Sequence, residues 1–231
     1  DAGSLEALLE QVEAVAVCAV DTAHPELILR ALEAGKHVLT EFPLAGSRAE
    51  GEALLARAHQ GERLLHVEHI ELLTGTARLL RERVRDIRGG LLRFTGRPRA
   101  GVAHVALANI ARLHRAVDTA GLPTGVRIDA REDWLLRGAL LYADFELSFE
   151  FQHGEGLPRQ TVLSLQTPEG LLVQEGRRVH LDGRELPLPA TGGLFAQDQL
   201  CASARILDGA SHYVSDDRIL DGLELADSLA P

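Results

Sequence analysis

The residues able to do chemistry in this chain gather where short apolar runs end. His66-Val67-Glu68-His69-Ile70-Glu71 puts two imidazoles and two carboxylates in one hexapeptide. A zinc-binding His-Glu-x-x-His helix sets its histidines one turn apart on a fixed face. His66 and His69 are spaced differently and flank a strand end, so no metal centre is expected. Carboxylates at a cleft edge fit better, where burial and neighbours shift proton affinity and suit proton handling or charge complementarity. Glu41-Phe42-Pro43 ends the preceding run, as the edge of a ligand site or as an exposed Glu beside a Pro that stops pairing. Asp21, Thr22 and His24 end the run before that, where capping a helix and binding a ligand are compatible. Farther on, Asn109-Ile110-Ala111-Arg112-Leu113-His114 sets an arginine between apolar neighbours. Arg112 either snorkels to solvent or offers its planar, permanently charged fork to a carboxylate.

Some mechanisms are excluded. No Gly-x-Ser-x-Gly elbow occurs, so a Ser-His-Asp triad has no support. Lys36 is the only lysine, which removes almost any lysine acid or base. No Gly-x-Gly-x-x-Gly turn occurs either; Gly89-Gly90 and Gly192-Gly193 lack that spacing.

The elements that would position these residues alternate in the first third. Ser4 caps a short helix over 4–10. Residues 14–20, AVAVCAV, form a continuous apolar run, as in a parallel strand buried on both faces. Helices are predicted over 25–33 and 47–59, and strands over 37–40 and 63–67. This βαβαβ order with short connections implies a parallel sheet, whose carboxyl edge is where such sheets bind ligands. A strand as apolar as 14–20 should be central, yet few residues precede it. Residues 1–70 therefore read as the C-terminal half of a dinucleotide-binding Rossmann domain, with the phosphate-binding half absent from the sequence.

Residues 71–231 read as a second, α+β domain. Helices are predicted over 71–88 and 103–120. Strand-like runs follow over 91–95, 125–128, 139–152, 159–166, 171–174 and 177–181, mainly antiparallel. Two helices, 194–207 and 216–229, close the chain.

At 231 residues, with 45% hydrophobic and 25% charged residues, the chain suits a folded globular protein. A net charge of -10 without a basic patch excludes a phosphate-tracking nucleic-acid surface. No apolar run approaches the roughly 20 residues of a membrane helix. Without a leader pattern, and with Cys18 and Cys201 far apart, the expectation is a cytoplasmic protein with free thiols.

Together, AVAVCAV-DTAHPELILRALEAGKHVLTEFPLA and LHVEHIELL (65–73) resemble the Gfo/Idh/MocA oxidoreductase family, and within it the biliverdin reductase branch. Ile110-x-Arg112-Leu113 and the late Asp198-Gln199 add to the resemblance. It implies a Rossmann domain followed by a domain with a large, mainly antiparallel sheet. It also implies hydride transfer from NADH or NADPH to a linear tetrapyrrole, biliverdin, as the small-molecule substrate. By the same resemblance, Ala19, Val20, Asp21, Thr22 and His24 would border the cofactor, with Glu41 and Phe42 on its nicotinamide side. Glu68 and Glu71 would lie near the bilin, and Arg112 would assist proton delivery or hold a propionate. Arg93, Arg97 and Arg99 are further candidates for pairing a dianionic substrate.

Sugar-oxidising members carry Glu-Lys-Pro, whose lysine moves a proton; Phe42 cannot. Biliverdin reductases commonly have Tyr there, so a phenol is missing as well. The rival readings are a family dehydrogenase acting on another small carbonyl or imine, and a non-catalytic relative used for binding or assembly. The choice between NADH and NADPH rests on a residue after the second strand of the absent half. Monomer and homodimer remain equally open.

Overall fold

A computed structural model describes residues 2–97 and 102–231. Arg99, one of the arginine candidates, lies outside them. The chain divides into two compact units, Asp1–Ile70 with Gly192–Glu224 and Glu71–Thr191 with Leu225–Pro231. The division therefore differs from a single cut after residue 70, because residues 192–224 cluster with the N-terminal segment.

In the first unit, Ser4 Oγ accepts the Ala7 N–H at 3.2 Å and starts α1, Leu5–Leu9. β1, Ala14–Val17, leads through a short turn to α2, His24–Glu33, with Pro25 in its first turn. β2 is His37–Thr40 and α3 is Arg48–Gln60, capped by Ser47 Oγ on the Glu50 N–H at 3.3 Å. β3 is Leu65–Val67. The three strands are parallel in the order β1-β2-β3. Val17 lies opposite Thr40, and Thr40 opposite Val67, so the carboxyl ends are level. β1 is shorter than its apolar run and is not central: among the described residues only its β2 edge is paired. Ala16 and Cys18 are accordingly exposed, and only Val17 in β1 is buried.

The expected helix over 71–88 is a 3₁₀ turn, Ile70–Leu73, then α4, Gly75–Arg83, capped by Thr74. Val84 leaves it in extended conformation, φ -78° and ψ 119°. β4 is Gly89–Gly96. The expected helix over 103–120 breaks at Asn109 into α5, Val105–Ala108, and α6, Ile110–Ala120. The Asn109 amide donates to the Val105 carbonyl at 2.8 Å, the local competition that makes Asn a poor helix-interior residue. β5 is Gly125–Glu132, β6 Leu135–Leu141, β7 Glu146–His153, β8 Gln160–Thr167, β9 Gly170–Glu175, β10 Arg178–Leu181 and β11 Arg184–Glu185. The single run expected over 139–152 is two strands, since Tyr142 and Phe145 stack on each other across the turn at 4.3 Å.

These strands form one sheet, in the order β11-β10-β9-β8-β4-β7-β6-β5. It is antiparallel except where β4 pairs with β7 in parallel. Strand alternation buries Leu92, Phe94, Leu147, Phe149, Phe151, Leu163 and Leu165 on one face. Each such side chain contributes roughly 1.5–3 kcal/mol of burial. Arg93 and Ser148 take the opposite parity and are exposed. Gly138 in β6 is required by space: a Cβ there would lie 2.0 Å from the Arg127 carbonyl oxygen, beside the irregular register at Ile128 and Ala130.

The chain closes with α7, Leu194–Asp208, ended by Gly209 in left-handed conformation at φ 66°, and α8, Asp216–Ser228.

Candidate active site

In the first unit the three level strand ends form one edge. The ladder runs on past the strands: the Glu41 N–H donates to Val17 O at 3.4 Å, and the Glu68 N–H to Thr40 O at 2.9 Å. Glu41, Glu68 and Cys18 thus share one neighbourhood. Desolvation, reinforced by these two carboxylates, pushes the Cys18 thiol up and keeps it protonated, a poor nucleophile.

His24 is fully buried and ties two loops together. Its Nδ1 lies 3.0 Å from Pro43 O and its Nε2 3.1 Å from Ala19 O. The loop after β1 and the cis Phe42–Pro43 turn after β2 are held by this one ring. Asp21 is also buried. Val20, 58% exposed, and Thr22, exposed, remain on the surface. The expected cofactor set therefore separates by depth. Val20, Thr22, Glu41 and Phe42 could touch a cofactor, with Asp21 and His24 supporting them from beneath and Ala19 holding His24.

Phe42 packs against the His69 ring, with centroids 4.4 Å apart and the planes tilted by 49°. The His69 Nδ1 donates to Val67 O at 3.0 Å, and its backbone N–H donates to the Tyr213 hydroxyl at 2.8 Å. The Glu68 Oε1 accepts the Ile70 N–H at 3.4 Å. His66 is buried, with Nε2 2.9 Å from Asp198 Oδ1. Burial alone would raise the Asp198 carboxyl, but hydrogen bonds from His66 and Tyr213 outweigh it and hold the group below the usual range. Among the described residues no three His, Cys, Asp or Glu side chains are grouped to hold a metal ion.

In the second unit, the Arg112 guanidinium carbon lies 3.5 Å from the Phe94 ring centroid. Its Nη1 donates to Ala108 O at 3.5 Å, one turn back on the broken helix. The Phe94 ring also meets His153 at 5.1 Å. The Asn109 amide donates to His153 Nε2 at 2.8 Å, so Nδ1 carries the proton and donates to Arg97 O at 3.0 Å. Burial pushes His153 below the ordinary histidine range, opposed by the Arg97 carbonyl and reinforced by Arg112. His153 is a neutral buttress, not a proton donor.

Of the other arginine candidates, two lie among the described residues. Arg93 faces the other side of the sheet, and the Arg97 side chain is exposed. Glu71 is exposed and belongs with Arg115, whose Nη2 donates to the Glu71 carbonyl and to Thr74 Oγ1. Glu68 lies in the first unit; Glu71 and Arg112 lie in the second. Phe94, His153 and Tyr213 are additions that sequence reasoning did not supply. A usable signal was the inward parity of Phe149, Phe151 and His153 along one strand.

Residues 1–69 match the family model "Oxidoreductase family, NAD-binding Rossmann fold" of Gfo/Idh/MocA proteins. The chain has the fold of the Gfo/Idh/MocA oxidoreductases, and its first 69 residues match their NAD-binding model. It is 29% identical over 235 residues to biliverdin reductase A of Mus musculus, covering 95% of this chain and 76% of that protein. A solved biliverdin reductase from Synechocystis, in complex with biliverdin and NADP+, superposes with a TM-score of 0.81 at 25% identity. That match covers 97% of this chain and 81% of the other. A 3-ketoreductase from Actinomadura kijaniata, in complex with TDP-benzene and NADP, superposes with a TM-score of 0.82. At 21% identity, covering 98% and 80%, it shares the fold. With this NAD-binding Rossmann segment the chain is an NAD(P)-dependent oxidoreductase. No helix among the described residues is long and apolar enough to cross a membrane.

Proposed function

We propose that this protein reduces biliverdin to bilirubin, and that residues 1–70 contribute the second half of its cofactor-binding domain. The observation that carries the proposal is the Arg112–Phe94 stack, read with Phe42. A half-buried guanidinium held over a buried ring suits an acidic substrate, in a chain whose Glu-x-Pro turn carries Phe42, which moves no proton, at its middle position. Relatives that are biliverdin reductases, at 29% identity, support the same substrate class.

When bound, the nicotinamide supplies a hydride to the central methine carbon of the conjugated tetrapyrrole, and a proton goes to a pyrrole nitrogen. The side chains need only bind, orient and deliver that proton. Val20 and Thr22 line the cofactor edge, with Glu41 and Phe42 beside the nicotinamide. The Phe42 ring keeps water from the reacting carbon and takes no proton. Arg112 pairs with a propionate or orders the water that protonates the product. Glu68 tunes the field at the strand-end edge of the first unit. Cys18 and Cys201 are free thiols, consistent with work in the cytoplasm.

The test is direct. Full-length protein mixed with biliverdin and NADPH, or NADH, should develop the bilirubin absorption band as the nicotinamide band falls. Turnover of a nucleotide sugar ketone in place of biliverdin would overturn the substrate and favour the carbonyl-reducing members of the family.

A further inference from the structure

The most completely connected polar cluster outside the residues given a chemical role lies under the β3 end. Asp198, on α7 and only 5% exposed, uses a single oxygen for two donors: His66 Nε2 at 2.9 Å and the Tyr213 hydroxyl at 2.6 Å. The same hydroxyl accepts the His69 backbone N–H at 2.8 Å. Arg205 Nη1 meets His66 Nδ1 at 3.1 Å. An arginine can only donate, so His66 accepts at Nδ1 and donates from Nε2. The direction of every hydrogen bond in the chain is thereby set, from the His69 N–H to Tyr213 to Asp198. Desolvation and the Asp198 carboxylate push the Tyr213 phenol up, so it keeps the proton it must donate.

The end point of this network matters. It grips the main chain at the residue following Glu68, and the ring of that residue packs, tilted, against Phe42. We propose that Tyr213 is a positioning residue for the oxidoreductase reaction: anchored by Asp198 and His66, it fixes the His69 main chain and, through the His69 ring, sets Phe42 at the cofactor edge. This rests on the reading that Glu41 and Phe42 border the nicotinamide. A buried hydroxyl that donates and accepts at once has one geometry available to it, which is what a positioning group needs.

Tyr213→Phe keeps the ring and removes both hydrogen bonds. Full-length Tyr213→Phe should exchange the His69 amide at least about ten-fold faster than wild type. Its Kd for NADPH, read from nicotinamide fluorescence, should rise about five-fold, the equivalent of one hydrogen bond of about 1 kcal/mol. At saturating cofactor kcat should change less than about two-fold, a split that a general loss of stability does not produce. Asp198→Ala should reproduce the faster exchange, while Asp198→Asn, which keeps an acceptor oxygen, should restore most of the protection. Unchanged His69 exchange in Tyr213→Phe overturns the network. Faster exchange with an unchanged NADPH Kd overturns the positioning role. A wild-type protein that binds NADPH but reduces no bilin refutes the substrate reading alone, because exchange and cofactor affinity decide Tyr213 without turnover.

Discussion

Arg112 and Phe94 form a face-on pair, with the guanidinium carbon 3.5 Å from the ring centroid. The ring sits on a buried sheet face and the arginine on the helix above it, so the cation is aimed by a rigid partner. Arg112→Ala should lower kcat for bilin reduction about 100-fold, the scale of a lost proton-delivery or orienting group. Phe94→Leu should cost only about three-fold, the loss of a partly exposed cation–π contact. Steady-state rates with NADPH saturating measure both; equal effects would mean that Arg112 acts through packing.

Phe42→Tyr tests whether the turn after β2 takes part in proton transfer. The substitution keeps the ring that packs against His69. The kcat–pH profile should keep its shape and kcat should stay within about three-fold of wild type. A new alkaline limb would show that a phenol at this position works as an acid, against the role given to Phe42.

His212 should make the fold acid-sensitive. Burial, then His66 and Arg205, drives its pKa from 6.5 down to about 3. The folded state therefore holds fewer protons than the unfolded state between those values. The stabilisation is complete above about pH 6.5 and is lost as pH falls towards 3, by at most about 1.4 kcal/mol per unit. His212→Phe removes this dependence, so the drop in Tm from about pH 7.5 to about pH 5 should shrink by several degrees. An identical drop in both proteins would contradict the assignment.

Gly138→Ala should destabilise the second unit. The new Cβ would lie 2.0 Å from the Arg127 carbonyl and 2.8 Å from the Phe149 ring, so β5 must move. A loss of at least about 2 kcal/mol in urea unfolding is expected. A change under about 0.5 kcal/mol would show that β5 shifts freely.

Local chemistry was legible in the sequence wherever it determines structure by itself. Ser4 and Ser47 cap the helices expected of them, and βαβαβ alternation gave the parallel sheet and its level carboxyl ends. Two misreadings share a cause. Tyr142 and Phe145 have strand-like composition but stack across a turn, and Asn109 sits in a helical pattern that its own side chain interrupts. In both, a side-chain interaction overrides the periodicity. The candidate residues are legible along the chain, and their long-range partners are not. Glu41, Phe42 and Glu68 announce themselves at strand ends. Tyr213 and Asp198 lie 144 and 132 residues from the partners they hold, His69 and His66, so no local pattern links them.

The parallel pairing of β4 with β7 has a consequence for divergence. Parallel neighbours cannot be joined by a tight turn and need a long crossover, here the whole stretch between Gly96 and Glu146. That excursion carries Arg112, Asn109 and the β5–β6 hairpin. Its length and sequence can drift while the β4–β7 ladder stays in register. The β4–β7 ladder is thus a fixed keel, and the crossover a replaceable cassette through which one framework can acquire new substrates.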